Sequence, residues 1–331
     1  MFCFMVSKRN LPTLIRIFSY SILAITFVFL LNNVLTVWFE WPGVKKLFSH
    51  YGLFGFKKLS KPLEDSILAY SYIQLFLYFI SILFAVFYVL KSIKQTLETD
   101  AEILTNFTAY IIRSSFWAVF IVGLADLLVS FMVVEKLVEP IFGEYLKIKL
   151  VVPSFRITYI HFPIILFSFV IGYFTRTVGF IWLAVLVVGS EFFIVISRFI
   201  FEYEQAFQGD LVRFWYSALY LFASAYALMH EGHVRVDVLY TGFSERKKAW
   251  TNSVGSLLLG IPLCLIVLFL GMGGKASIIN GPVISFEITQ QGSNGLYLLY
   301  LMAVYLAVFA VSMLIQFTSY FMGSSYKLLK N

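Results

Sequence analysis

Long apolar stretches separated by short polar segments dominate this chain. The apolar stretches cover residues 17–39, 66–90, 110–134, 157–174, 178–201, 207–229, 249–270 and 296–321. Each is close to the length of a helix of about 20 residues, which is what a hydrocarbon layer of ~30 Å requires. They are not the short segments of alternating hydrophobicity that build a membrane β-barrel. The pattern therefore predicts an all-α fold, a polytopic membrane helix bundle of about eight transmembrane helices.

Composition strengthens this prediction and excludes several classes. Of the 331 residues, 60% are hydrophobic and only 13% are charged, a balance typical of a polytopic membrane protein. The formal net charge of +7 lies mostly at the ends of the predicted spans, where it meets anionic lipid headgroups. Membrane lipid is therefore a predicted partner and nucleic acid is not. Cys3 and Cys264 provide neither a disulfide framework nor a metal site.

Basic residues at the ends of the spans set the predicted orientation. Lys8 and Arg9 before the first span place the N-terminus in the cytoplasm, and Lys327 and Lys330 place the C-terminus there as well. Both placements agree with an even number of spans. By this topology the lysine-rich segment 42–62 lies on the opposite side, and we expect it to be an interfacial, partly amphipathic segment.

Three ionisable residues, Arg113, Asp126 and Glu191, lie within the predicted spans. A charge at the centre of a membrane helix costs ~2.5 to 3.5 kcal/mol on insertion scales, so each should have a partner or face water. Arg113 and Asp126 lie about 20 Å apart along one helix and cannot pair with each other. For Glu191 two interpretations stay open. It is either a proton or cation site, or a structural carboxylate paired with an arginine or hydroxyl of a neighbouring helix.

Two prolines, Pro163 and Pro262, lie inside predicted spans and are expected to kink them. His161 is expected at a helix end, in contact with headgroups or water rather than with a ligand. The polar break at 175–177 predicts a tight cytoplasmic turn. The two spans that it joins are therefore expected to form an antiparallel helix hairpin.

The most specific stretch is a polar joint between the spans 207–229 and 249–270. Within it, valines alternate with Arg235 and Asp237, which suits an extended segment at the membrane interface. We expect Arg235 and Asp237 to hold this joint through charge-assisted hydrogen bonds, with His233 at the interface. Basic residues outnumber acidic ones here, so the joint is predicted to face the cytoplasm.

The same joint contains the run His-Glu-Gly-His at 230–233, which is not an enzyme signature. Its histidines are three positions apart, whereas the zinc peptidase pattern places them four apart with a glutamate as base. A metal site of His230, His233 and Asp237, within a membrane enzyme or redox subunit, stays a minor alternative. We therefore predict no catalytic residue, no resident metal and no cofactor.

A family resemblance enters at these residues. The run Gly-His-Val-Arg-Val-Asp-Val-Leu-Tyr at 232–240, followed by Glu-Arg-Lys-Lys-Ala-Trp at 245–250, resembles the small membrane subunit of TRAP transporters, the DctQ-type permease. Upstream, Arg198 and the aromatic residues beside it resemble that family's ending to its first helix. Asp210 and Arg213 fall where the family has an acidic pair and a basic residue.

The resemblance covers about 177–322 and divides the chain. Residues 1–156, about three helices and their loops, have no counterpart in the family's minimal four-helix subunit. They form an N-terminal membrane extension, followed by a fourth helix at 157–174. Residues 323–331 are a cytoplasmic tail. Within the four-helix module this chain departs from the family in two respects. Gly209 stands where the family has the first acid of its pair, and Phe207 stands where it has a tryptophan.

The resemblance implies a role in a tripartite transporter of the bacterial inner membrane. In such a system a large permease subunit carries the substrate, a small organic acid or related anion, with coupled sodium ions. An extracytoplasmic substrate-binding protein delivers it, and the small subunit packs against the large one without performing chemistry. Arg198, Asp210 and Arg213 then form either an interfacial salt-bridge network or a contact surface for the extracytoplasmic partner.

A different class of function is a self-sufficient ion-coupled or proton-coupled carrier or channel that uses Asp126 and Glu191. It requires both side chains to face one aqueous path. A transporter that acts alone should show repeated halves or helices broken at matching positions, and this sequence shows neither clearly. The small-subunit prediction is therefore favoured.

Overall fold

The computed structural model describes residues 10–176, 180–229, 240–289 and 292–330, without the side chains of Phe180 and Ser293. All regular secondary structure within these ranges is helical. The helices are α1 Leu11–Trp38, α2 Gly43–Tyr51, α3 Asp65–Lys91, α4 Leu97–Val134, α5 Val138–Phe142, α6 Glu144–Leu150, α7 Pro153–Phe174, α8 Phe180–Phe201, α9 Ala206–Met229, α10 Glu245–Gly271, α11 Asn280–Ile284 and α12 Leu299–Lys330. A single 3₁₀ turn covers Gly292–Asn294.

Seven of these helices, α1, α3, α4, α7, α8, α10 and α12, are long and apolar enough to cross a membrane. The remaining predicted span is α9, whose 24 residues rise about 36 Å. It is less apolar because Gln208, Asp210 and Arg213 lie in its first turns. Its Phe214, Ala218 and other apolar side chains are nevertheless buried among the longer helices. The prediction of an all-α membrane bundle is confirmed.

The extension and the C-terminal helices share one apolar core. Helix α4 packs against α7, α9 and α12. The largest apolar cluster joins Phe116 and Val122 of α4 to Phe214 of α9 and Tyr305 of α12. Trp215 of α9 also donates from its indole nitrogen to the carbonyl of Val119 at 3.2 Å. The N-terminal part of the chain therefore contributes to the packing of the C-terminal part and is not a separate body.

Helices α7 and α8 do not form the closely packed hairpin that the short break between them predicts. Helix α7 lies on α4, whereas α8 packs mainly on α9. Helix α7 approaches α4 closely at Gly172, where an added Cβ would collide with Ser114 of α4.

Both prolines that were expected to kink a span follow a π-helical turn. In α7 the turn is Ile157–His161, and in α10 it is Ser256–Gly260. Pro163 and Pro262 each lack the N–H that would bond to the carbonyl four residues earlier, so a regular α-helix cannot continue through them. The wider turn adapts the helix to this loss.

Several element ends differ from the predicted spans. Helix α4 already begins at Leu97, where the side chain of Thr96 accepts the N–H of Thr99 at 3.2 Å, a typical N-cap. Helix α12 continues to Lys330, so the segment expected as a tail is helical. The lysine-rich segment contains α2, which buries Leu47 and leaves its lysines outside, as an interfacial helix does.

A buried ion pair joins helix α1 to the first turn of α4, and hydrogen bonds of the same side chain reach the α3–α4 connection. The guanidinium of Arg16 donates from Nε to the Asp100 carboxylate, and neither side chain is more than 3% exposed. Its Nη1 donates to the backbone carbonyl of Ser92 and its Nη2 to the Ser92 hydroxyl, both at 2.8 Å. Arg16 therefore holds three parts of the extension together: α1, the α3–α4 connection and the start of α4.

The packing of α10 on α12 gives a matched pair of glycine substitutions. A Cβ on Gly260 would lie 2.5 Å from the Phe317 ring of α12, whereas one on Gly255 would meet nothing within 4 Å. We expect Gly260→Ala to destabilise the protein by ~1 to 3 kcal/mol through overpacking. Gly255→Ala should be neutral or stabilising by up to about 1 kcal/mol. Thermal unfolding in mild detergent tests this, and equal midpoints for the two variants would contradict it.

Candidate functional site

A fully buried carboxylate, Asp126 of α4, is the centre of a polar cluster in the apolar core. Its Oδ1 accepts hydrogen bonds from Arg156 Nη1 at 2.9 Å and from His161 Nε2 at 3.0 Å. Its Oδ2 accepts one from the backbone N–H of Tyr297 at 2.7 Å. The partners that the sequence required for Asp126 are therefore a guanidinium and an imidazole of α7, and a backbone amide close to α12.

The guanidinium of Arg156 is compensated from several sides. Its Nε donates to the carbonyl of Leu150 at 3.1 Å, and its Nη1 also donates to the Ser130 hydroxyl at 2.9 Å. Its central carbon lies 3.8 Å from the centre of the Tyr297 ring, a cation–π contact. Burial raises the pKa of the Tyr297 phenol, which stays protonated and donates to the carbonyl of Val151 at 3.1 Å. A buried cation is stable only with such partners.

The π turn of α7 positions both partners of Asp126. Arg156 and His161 are five residues apart, a spacing that puts them on different sides of a regular α-helix. In a π turn the hydrogen bonds connect residues five apart, so both side chains reach the same carboxylate. Pro163 accounts for the π turn. The distortion that the sequence predicts at this proline therefore brings Arg156 and His161 to the same carboxylate.

His161 completes the cluster on its other side. Its Nδ1 lies 3.1 Å from the Tyr300 hydroxyl of α12. A neutral imidazole with its proton on Nε2 satisfies both contacts, since it donates to Asp126 and accepts from Tyr300. The expectation that His161 meets headgroups or water is wrong. Because α7 begins at Pro153, His161 lies two turns inside the helix and is fully buried.

A second carboxylate, Asp210 of α9, binds the backbone next to this cluster. Its Oδ2 accepts the backbone N–H of Leu296 at 3.1 Å, so Asp126 and Asp210 accept consecutive N–H groups just before α12. Ser130 of α4 also donates to the carbonyl of Gly295 at 3.2 Å. Because Asp126 and Ser130 belong to the extension, the extension holds the segment that leads into the last helix.

The other predicted external residues form two separate pairs. Arg213 is 70% exposed and approaches Asp210 at 3.7 Å. Arg198 pairs with Glu204 at 3.4 Å, and both of these side chains are more than half exposed. The exposed pair of Arg198 and Glu204 contributes ~0 to 1 kcal/mol, whereas the Asp210 side chain is only 6% exposed. Among the described residues, Arg198, Asp210 and Arg213 therefore do not form one network.

Glu191 lies on the outer surface of α8 and not in the core. Helix α8 buries a narrow stripe that includes Leu183, Ser190 and Ser197, and Glu191 lies outside this stripe. Within the described chain it has no hydrogen bond or ion pair, so the predicted partner on a neighbouring helix is not found there. Asp126 is closed to solvent, whereas Glu191 faces outward. A carrier that uses both carboxylates needs them to face one aqueous path, and this arrangement does not provide one.

Arg113 lies partly exposed where α4 meets the end of α7. Its Nε donates to the backbone carbonyl of Gly172 at 3.4 Å. Gly172 is two residues before the end of α7, so the Arg113 side chain lies beside the turn that follows α7 and not at the centre of the bundle.

The predicted residues of the polar joint, His233, Arg235 and Asp237, lie outside the described residues, as does His230 of the metal alternative. In the ranges that the structure does describe, no group of three or more His, Cys, Asp or Glu residues is arranged to hold a metal ion. The proposed hydrogen bonds of the joint stay a prediction.

Sequence reasoning missed Arg156, Tyr297 and Tyr300. Arg156 lies just before the predicted span 157–174, because the apolar stretch begins only after it. One signal was present, since Asp126 required a compensating group and Arg156 is a basic residue at the edge of the next predicted span. The two tyrosines lie more than 150 residues from Asp126 in the chain, and no local pattern indicates that contact.

Residues 185–320 match the family of tripartite ATP-independent periplasmic transporters, DctQ component. The match begins in α8 and ends in α12, so it includes most or all of the four long helices α8, α9, α10 and α12. It covers less than half of the chain. No characterised protein and no solved structure matches the sequence.

The helices show a multi-pass membrane protein, and its residues 185–320 are similar to the DctQ component of tripartite transporters. The matched region contains most of α8, α9, α10 and α12, and α1 to α7 form an N-terminal membrane extension that precedes it.

Proposed function

We propose that this chain is a scaffold for the large permease subunit of a tripartite transporter and helps to dock the extracytoplasmic substrate-binding protein. The transported substrate is an organic acid or a related anion, taken up by symport with coupled ions through the large subunit. The observation that carries the proposal is the family match at 185–320. The buried cluster at Asp126 supports a scaffold, because its charges bond to one another and to the backbone in a region closed to solvent.

The proposed location is the bacterial inner membrane, with both termini in the cytoplasm. The start of α10 and the end of α12 lie at the same end of the bundle, since Lys248 and Lys327 border one cavity. Arg246, Lys247 and Lys330 add further positive charge at that end. Such an excess of basic residues is typical of the cytoplasmic side.

The outer face of α8 is the proposed contact surface for the large subunit. Val188, Phe192 and Val195 are exposed around Glu191 in the middle of this helix. A carboxylate that faces lipid hydrocarbon is costly, and a protein neighbour that offers a cation or a hydrogen-bond donor removes that cost. A helix that is apolar on nearly every side and carries one outward acid is therefore suited to a membrane protein partner.

Affinity purification of the tagged chain from its native membrane in mild detergent, with mass spectrometry, tests the proposal. We expect a large polytopic permease near equal stoichiometry. Glu191→Gln should reduce its recovery about tenfold, because a hydrogen bond to a charged group contributes ~1.5 to 3 kcal/mol. The exposed Glu64 lies outside the spans, and Glu64→Gln is the matched control with no expected effect.

The outcomes separate the two parts of the proposal. A chain recovered alone, or only with copies of itself, would overturn the small-subunit role. Full recovery of the permease with Glu191→Gln would contradict only the contact surface on α8.

A further inference from the structure

An open cleft of about 780 Å³ lies where the end of α7 meets α4. Asn106, Tyr110 and Arg113 of α4 border it on one side, and Arg176 borders it on the other. The bond from Arg113 Nε to the carbonyl of Gly172 fixes the side chain at the cleft. Within the described chain, the two terminal nitrogens of Arg113 make no hydrogen bond and are available to a ligand.

The cleft brings two positive charges together without a negative one. Arg113 and Arg176 border the same cleft. Among the described residues that border the cleft there is no carboxylate, and the residues that follow Arg176, Thr-Val-Gly at 177–179, contain no acid. Two unpaired guanidinium groups favour an anion between them, and phosphate oxygens accept the paired hydrogen bonds that this group offers.

The position of the cleft favours a phosphate that belongs to a lipid. The cleft lies at the end of α7, where the chain leaves an apolar span. Tyr173 and Phe174 also border it and are 71% and 75% exposed. Exposed aromatic rings at a span end are typical of the membrane interface, the level at which lipid phosphates lie. A soluble phosphate ion would gain nothing from this apolar surface.

We propose that Arg113 and Arg176 bind the phosphate of an anionic phospholipid headgroup, with the acyl chains against the exposed rings of Tyr173 and Phe174. The site lies in the extension, so it does not depend on the role assigned to the C-terminal helices. The extension then has a separate function, which is to bind an anionic lipid at the basic end of the bundle.

Thermal unfolding of the full-length chain, purified in mild detergent and stripped of lipid, measures this binding. Added phosphatidylglycerol should raise the midpoint, and above the dissociation constant the rise should follow the logarithm of its concentration. The double variant Arg113→Gln/Arg176→Gln should weaken the apparent affinity by roughly tenfold or more, because both paired sets of hydrogen bonds are lost. Lys57→Gln/Lys58→Gln removes the same charge from exposed lysines and should retain the affinity.

Each comparison has an outcome that overturns the proposal. Equal affinity for phosphatidylcholine would exclude selection of an anionic headgroup. Inorganic phosphate that gives the same shift, with the same dependence on both arginines, would exclude a lipid as the source of the phosphate. An unchanged affinity in the arginine variant would exclude the site. If that variant fails to fold, Arg113→Lys/Arg176→Lys keeps the charge but loses the paired geometry, and it must then bind several-fold more weakly.

Discussion

Asp126→Ala is expected to destabilise the folded protein by about 3 to 5 kcal/mol, one of the two largest effects that we predict for a single substitution. The change leaves the Arg156 guanidinium in the core without its carboxylate. It also removes the acceptor for His161 and for the N–H of Tyr297. Thermal unfolding in mild detergent should show a large fall in the midpoint, together with a lower yield of monodisperse protein.

Two further variants decide whether the loss of stability arises because the buried Arg156 charge lacks its carboxylate partner. Glu139→Ala breaks an ion pair with Lys147 in which both side chains are 53% exposed, and it should cost only ~0 to 1 kcal/mol. The double variant Asp126→Leu/Arg156→Met removes both charges and should be more stable than Asp126→Ala. A loss for Asp126→Ala no greater than that for Glu139→Ala would contradict the assigned role of the buried cluster.

The same cluster shows which parts of the site the sequence could reveal. An acid inside an apolar stretch has to be compensated, so the need for a partner at Asp126 follows from the sequence alone. The identity of the partner does not. Arg156 and His161 lie 30 and 35 residues away, and only the π turn before Pro163 brings both of them to one carboxylate.

The spans themselves were predictable because length and hydropathy depend on composition alone. The packing of each span was not, and α8 shows the reason. Nearly every side chain from Ile181 to Phe201 is apolar, so the sequence does not indicate which face is buried. The outward position of Glu191 therefore emerges only from the structure. Small residues give a better signal, since Gly172 and Gly260 both mark close helix contacts.

The boundary between the extension and the four-helix module marks where the family resemblance begins. It does not separate two hydrophobic cores, because one core includes residues from both parts. Residues of α4 pack between α9 and α12, and Asp126 and Ser130 hold the segment before α12. A chain that lacks the extension would therefore expose apolar surface on both of these helices. In this protein the C-terminal module depends on the extension for part of its packing.

The extension also has a buried ion pair of its own, and Arg16→Ala should cost about 3 to 5 kcal/mol. The substitution leaves the Asp100 carboxylate buried and without its cation. It also removes two hydrogen bonds to Ser92 in the connection between α3 and α4. Besides a lower unfolding midpoint, we expect faster tryptic cleavage at Lys91 and Lys94, because that connection loses its attachment to α1.

Comparison with other basic residues separates this role from a general effect of charge. Lys275→Ala breaks a pair with Glu40 in which the side chains are 54% and 81% exposed, and it should change the stability by less than ~1 kcal/mol. Arg16→Lys keeps the charge but cannot bond to Asp100 and Ser92 together, so its stability should fall between those of Arg16→Ala and the unaltered protein. If Arg16→Ala behaves as Lys275→Ala does, and cleavage at Lys91 and Lys94 is no faster, α1 is held by its apolar contacts alone and the ion pair contributes only to orientation in the membrane.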